Sequence, residues 1–512
     1  MSSRQPASHV VVIGGGGAAL RACLVAAERG ARVTVVSKGR VGASGCTHAI
    51  DSKIEFSVVN SPRPAPDTPS TYVADLEAVG QRLKPPDRLQ LFAERSVEEL
   101  QFLERLGVPL ADARGYRRIQ LAGSSHSRGI ICPPRFGTRV LQALWTATPR
   151  ERVSVLEGAM ALEILAADGL ATGVVVGDLR TGAVSVVPAD AIVLAAGGAG
   201  QVFSLTTNPR ELSGDGYALA VRAGARLDHM EFIQYVMLTL APIRGYFLLS
   251  GVLLRGQLVD ADGARFVPGG DPTRLGPVEQ KQVLADFMGW IAARKRSAPE
   301  IPVFWDGTAL GPGFFLKAMP RTYAAFFRRG HDLAQRPVEI DLGAHQFLGG
   351  VVTDLAARST IPNLFAAGDV ADSVQGADRI NGSGVMEALV FGALAGAGAA
   401  VSPVLSARPE LPSDYRRRSP HGVERLAGSR RQLAAAMDQI LAVRERPRLE
   451  RVATALDANL GELETHGLLG ETPAALRALH ELRSALTTSR EVVRASLGRE
   501  RDLGLFVTSG TA

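Results

Sequence analysis

The first apolar run of the chain is unbroken, "HVVVI" (His9 to Ile13), which predicts a strand buried on both faces. Ala18 to Arg29 carries apolar residues at helical spacing and stops at Gly30, and "ARVTVVS" (Ala31 to Ser37) is a second buried strand. Together they form one βαβ unit. Asp87 to Leu106 and the stretch from Thr138 to Ala147 read as helices. Val153 to Pro188 alternates between turns at "ADG" and "RTG", which predicts a three-stranded meander. Ala189 to Ala196 is a buried strand running into "GGAGQ", and Ser213 to Gly224 a short helix begun by a capping pattern. From Leu227 to Asp341 the rhythm changes. Strands, a Gly/Pro-rich link ("FVPGGDPTRLGP") and helices follow without βαβ order, as in an inserted domain. Asn363 to Ala366 returns to the first domain, and the chain beyond Pro409 is helical and charged. The expected organisation is a first domain of residues 1–226 and 342–407, an insertion of 227–341 and a helical domain of 408–512.

Composition adds exclusions. The 512 residues are 46% hydrophobic and 21% charged, enough for a large core in more than one domain. The net charge is +6, carried almost wholly by Arg, since there are only six Lys. Aromatic residues are 5%, too few for a basic stripe interleaved with stacking side chains, so no nucleic-acid partner is expected. Three cysteines without metal spacing suit a reducing cytoplasm, and no metal is expected. Ala388 to Ala407, uncharged for twenty residues, is rich in Gly and Ala and reads as a closely packed buried helix rather than a membrane span.

The candidate chemistry starts at "GGGGAA" (Gly14 to Ala19), which fits G-x-G-x-x-A between strand and helix. Gly14 permits the tight turn, Gly16 lets a pyrophosphate approach the backbone, and Ala19 allows close helix–strand packing. The helix start offers free N–H groups to an anion. The second strand ends in Ser37 and Lys38, without the acidic residue that a plain NAD site places there.

Longer stretches carry a family resemblance: "VVSKGRVGASGCT", "VLAAGGAGQVFSLTTNP", "SGDGYALAVRAGARLDHMEFIQY", "GAHQFLGGVVTD" and "IPNLFAAGDV…GADRINGSGVMEALVFGALAG". In these, and in their order over most of residues 9–400, the chain resembles the flavoprotein subunits of fumarate reductase and succinate dehydrogenase and, most closely, L-aspartate oxidase. The resemblance implies an α/β fold: a Rossmann-like FAD-binding domain with an inserted α+β capping domain and a C-terminal helical domain. It implies FAD, bound without a covalent link although Cys46 and His48 stand near the family's attachment site. Gly14, Gly16, Gly17 and Ala18 would hold the pyrophosphate, and Ser37 and Lys38 match the family's second-strand end. Gly45, Cys46 and Thr47 would approach the flavin ring, with Ala161, Gly197 and Asp215 as further contacts. Asp369 would bind the ribityl hydroxyls, and Gly384 and Val385 would aim N–H groups at the flavin O2 region.

His345 and Arg379 match the family's substrate-binding His and Arg, and Arg255 survives from a third motif. A guanidinium grips a carboxylate bidentately and a His adds a donor. Other pieces are absent. Val236 stands in place of a second substrate His, Ser250 or Gly251 in place of an acid, and Val278 in place of the proton-transferring Arg, for which Arg244, Arg255 or Arg274 could substitute. The expectation is a two-electron FAD oxidoreductase acting on a small carboxylate- or carbonyl-bearing molecule, with a less polar part toward Val236, Met237 and Leu238. Oxygen, a quinone or a partner redox protein would exchange electrons with the flavin. The alternatives are L-aspartate oxidase and a non-catalytic flavin-binding or electron-transfer subunit.

Overall fold

The computed structural model describes residues 7–50, 56–57, 67–110, 115–248, 250–266, 271, 274–298, 300–406 and 409–508. Its first layer is a five-stranded parallel sheet. The strands are β1 (His9–Ile13), β2 (Arg32–Ser37), β3 (Val153–Glu157), β4 (Ala191–Leu194) and β5 (Leu364–Ala366), in the order β5-β4-β1-β2-β3. The central run Val10–Val12 is 0% exposed, as its lack of alternation predicts. Helix α1 (Gly17–Glu28) joins β1 to β2.

The expected meander is rearranged at its first strand. Val153–Glu157 leaves it and pairs with β2 as the edge of the parallel sheet. The chain turns at Gly158, where φ is +63°. The antiparallel meander is then Ala159–Ala167, Leu170–Asp178 and Val184–Pro188.

The inserted region builds a second five-stranded sheet, ordered Tyr246–Phe247, Ile233–Thr239, Val338–Phe347, Val303–Asp306, Gln257–Asp260, all antiparallel. Helix α2 (Pro277–Ser297) belongs to this layer. Its core includes Trp305, 0% exposed, whose indole N–H donates to the Leu253 carbonyl at 3.1 Å. The boundary expected between Asp341 and Leu342 falls inside the ten-residue strand Val338–Phe347. The same strand therefore serves the capping sheet and delivers His345 to the floor of the first domain.

The apolar small-residue segment forms helix α3 (Ser383–Ala399), packed on α1. A methyl added at Gly392 would stand 2.7 Å from the Ala18 carbonyl oxygen, and one at Gly396 2.3 Å from that of Ala22. Backbone-to-backbone approach explains the composition. No helix among the described residues is long and apolar enough to cross a membrane. The last long helix, α4 (Pro473–Gly498), returns to the first domain. Thr488 Oγ1 donates to the Gly214 carbonyl at 2.9 Å.

Candidate active site

A cavity of about 1020 Å³ runs between the parallel sheet and the capping layer. All the residues singled out as a site from sequence line it: Gly14, Gly16, Gly17, Ala18, Ser37, Lys38, Gly45, Cys46, Thr47, Ala161, Gly197, Asp215, Asp369, Gly384 and Val385, with Arg255, His345 and Arg379. They come from distant parts of the chain and meet because the βαβ unit, the meander and α3 point their ends at one space.

In the sheet-side half, the wall at Gly14 to Gly17 is bare backbone. Gly14 has φ +132°, and a Cβ there would lie 2.2 Å from the Ala195 carbonyl oxygen. Gly16 caps α1 without a side-chain hydrogen bond, so N–H groups of the first turn face the cavity. Only the Gly17 N–H is taken, by Thr47 Oγ1 at 3.2 Å. Helix α3 likewise starts without a side-chain cap, after Gly382 at φ +82°. Two helix N-termini thus address one cavity, and each favours negative charge. This fits a pyrophosphate at α1 and the electron-rich edge of a flavin at α3.

Charges nearby are internally paired. Lys38 Nζ lies 2.6 Å from Asp215 Oδ2, 3.0 Å from Glu481 Oε1 on α4, and donates to Ser213 Oγ at 2.8 Å. The Asp215 carboxylate is therefore neutralised by Lys38 at the cavity wall. Burial raises the Asp369 carboxyl to about 6, and Gln346 Nε2 donates to its Oδ1 at 3.1 Å. The Cys46 thiol is pushed far above its usual range, by burial first and the Asp369 charge second.

In the cap-side half, Arg379 is buried, and its Nε has no hydrogen-bond partner. Its neighbour Asp378 does not satisfy the guanidinium. One Asp378 oxygen accepts the Arg379 backbone N–H at 2.7 Å, and the other pairs with Lys281 Nζ at 2.7 Å. Lys281 also donates to the Arg379 carbonyl at 3.0 Å, which ties α2 to the Arg379 loop. His345 Nδ1 shares a hydrogen bond with Thr207 Oγ1 at 2.8 Å, and its ring stacks on Phe247 with centroids 5.7 Å apart. Burial, and then the Arg379 charge, lowers its pKa to about 3. His345 is accordingly neutral at ordinary pH.

That shift has a measurable sign. A His lowered to about 3 when folded binds fewer protons than the unfolded chain between pH 3 and about 6.5. Its contribution is fully present above pH 6.5 and is lost as pH falls toward 3. His345→Asn should flatten that part of the acid side of a stability profile. Nitrogen NMR should show the His345 ring neutral from pH 5 to 8, and a titration near 6.5 would contradict the burial argument.

Three sequence expectations are corrected. Arg274 is 87% exposed and pairs with Asp271 at 3.3 Å, and Arg244 is exposed, so neither lines the cavity. Leu238 is 0% exposed and also stands outside it, whereas Val236 and Met237 line it. Arg255 does line it but is exposed, with Nη1 donating to the Gly251 carbonyl one turn earlier. Lys281, Thr207, Phe247, Gln346 and Arg321 also line the cavity and were missed. Thr207 and Gln346 lie inside quoted family motifs, and Lys281 stood out as one of six lysines in an Arg-rich chain; Phe247 and Arg321 carried no such signal.

A family model described as FAD binding domain matches residues 9–385. The chain is 32% identical to L-aspartate oxidase of Streptomyces coelicolor, over 75% of this chain and 67% of that protein. It is 29% identical to the fumarate reductase flavoprotein subunit of Mycobacterium tuberculosis, over 97% of this chain and 91% of that one. Among solved structures, Mycobacterium smegmatis Sdh1 in complex with UQ1 superposes with a TM-score of 0.87 at 24% identity, covering 98% of this chain and 88% of the other.

Proposed function

The chain belongs to the FAD binding domain family, and from that premise we propose that it carries out a two-electron dehydrogenation or reduction of a small molecule bearing a carboxylate or carbonyl. It is an enzyme, an FAD-dependent oxidoreductase of the fumarate reductase and L-aspartate oxidase kind. The substrate and the direction of electron flow are the proposed part. The observation that carries the reading is the buried Arg379 guanidinium, left with an unpartnered Nε because Asp378 is held by Lys281. A buried cation with unspent donors in a cavity wall is an anion site.

Gly14, Gly16 and Gly17 with the start of α1 would hold the pyrophosphate of FAD, and Gly384 and Val385 its flavin edge. The bound cofactor supplies hydride transfer at its N5. The chain's own residues do the rest. Arg379 grips the substrate carboxylate through two parallel N–H bonds. Neutral His345, fixed by Thr207 and Phe247, offers a hydrogen bond without adding charge. A Thr207 hydroxyl donating to Nδ1 keeps the proton on Nε2. Val236 and Met237 exclude water from the same wall. A thiol raised by burial, as at Cys46, is a poor nucleophile, which supports a non-covalent flavin. Acid precipitation should therefore release all the yellow colour as free FAD. Three free cysteines suit a cytoplasmic enzyme, with oxygen, a quinone or a partner redox protein exchanging electrons.

The test is anaerobic bleaching of the bound flavin by a panel of amino acids and carboxylates, with turnover followed by an artificial acceptor. For substrates that run the other way, reoxidation of the reduced flavin is followed. Silence across the panel in both directions would remove the reading. L-Aspartate oxidase is the second reading, favoured by the similarity to the Streptomyces coelicolor enzyme. Val236 opposes it. One end of a dicarboxylate would meet an apolar wall, at a cost of roughly 1–3 kcal/mol. L-Aspartate and succinate should thus reduce the flavin about fivefold to a hundredfold more slowly than the best monocarboxylate. Rapid bleaching by L-aspartate would reverse that order.

A further inference from the structure

We infer that the substrate is a monocarboxylate with an apolar chain or ring, and that helix α2 receives that apolar part; this rests on the carboxylate anchor proposed above. Helix α2 turns Lys281, Leu284, Ala285, Met288, Gly289 and Ala292 toward the cavity. Their spacing is one helix face, running about 16 Å along the axis. The face is polar only in its first turn, where Gln280 also lines the cavity with its Nε2 donating to the Leu275 carbonyl at 3.0 Å and Lys281 stands beside Arg379. There the ammonium is already occupied by the Asp378 carboxylate at 2.7 Å and the Arg379 carbonyl at 3.0 Å. Lys281 and Asp378 cancel in charge, so they do not hold a second carboxylate.

Beyond them the face offers no hydrogen bond. A second carboxylate directed along α2 would lose water and gain nothing, whereas an apolar chain would bury its surface against Leu284 and Met288. The other cap-side cations in the wall, Arg255 and Arg321, are exposed, where water weakens any ion pair. There is also room. Ala285 and Gly289 are the small, accessible positions of the face, and a Cβ built on Gly289 meets no atom within 4 Å.

The experiment titrates the FAD-loaded protein with acetate, butanoate, hexanoate and octanoate, and with succinate, following the perturbation of bound-flavin absorbance rather than turnover. Affinity should rise about threefold to fourfold for each added methylene, and succinate should bind no tighter than butanoate. In Gly289→Leu the rise with chain length should flatten. Replacing a helix-interior glycine favours the helix, so this variant should melt no lower than the parent protein. A flat series in the parent protein, with Arg379→Ala still abolishing the perturbation, overturns the apolar subsite and leaves the anchor standing. Succinate binding tighter than butanoate overturns it as well. A rise that Gly289→Leu leaves intact removes the tail from α2. A perturbation that survives Arg379→Ala, or none with any acid, overturns the anchor and this inference together.

Discussion

Replacing Arg379 with alanine should lower kcat/KM by about thirtyfold to a thousandfold for whichever carboxylate exchanges electrons with the flavin, while the protein stays yellow. The guanidinium is buried, its Nε is unpartnered, and Asp378 is spent on Lys281. Its removal leaves a substrate carboxylate desolvated and unpaired, a loss of about 2–4 kcal/mol in transition-state binding. Arg379→Lys should recover part of this only, because an ammonium cannot reproduce the fork. FAD content should remain near one per chain in both, since the glycine loop and α3 face the cofactor with backbone. Steady-state kinetics with a flavin-to-protein ratio reads both halves. Near-normal turnover in Arg379→Ala would show the assignment to be wrong. Loss of flavin instead would make Arg379 a structural residue.

Gly14→Ala should have the opposite signature, with the flavin lost before any kinetic constant is measurable. The added methyl would stand 2.2 Å from the Ala195 carbonyl oxygen, in a backbone conformation of φ +132° that L-residues avoid. Neither neighbour can yield cheaply, because Gly14 donates to the Val36 carbonyl at 2.9 Å and the Ala195 N–H to that of Ile13 at 2.8 Å. Strain and overpacking together amount to roughly 2–6 kcal/mol, a large share of a domain's stability. Soluble protein should carry under about a tenth of the usual FAD and melt well below the parent. An FAD-replete variant with an unchanged melting temperature would mean that the loop relaxes freely.

Much of this was legible in the chain because its signals are local. A strand without alternation, a glycine loop and a helix fix the βαβ unit, and the motif glycines, His345 and Arg379 line one cavity. What the sequence hid depends on partners. Val153–Glu157 alternates like a meander strand, and nothing in five residues says which sheet it will join. Asp341 and Leu342 look like a domain edge because composition shifts there, yet one strand runs through them. Lys281 reads as a polar helix residue until its Asp378 partner, 97 positions later, is brought to 2.7 Å. Arg244 and Arg274 are cations not far from Val236 and Val278 in sequence, but proximity along the chain places neither in the cavity wall.

The path from Lys38 to Glu481 makes the last long helix part of the cavity's sheet-side half, although the family match ends at residue 385. Lys38 is held in the cavity wall by Asp215 and Ser213 of the first domain and by Glu481 of α4, and Thr488 closes on the Gly214 carbonyl beside them. Cofactor occupancy and docking of the tail are then two ligations of one equilibrium. Whatever factor the docked tail adds to FAD affinity, bound FAD must return to the docking of the tail. Limited proteolysis within 409–508 would be slowed by FAD to that same degree, and the tail would act as a reporter of cofactor loading some hundred residues beyond the matched domain.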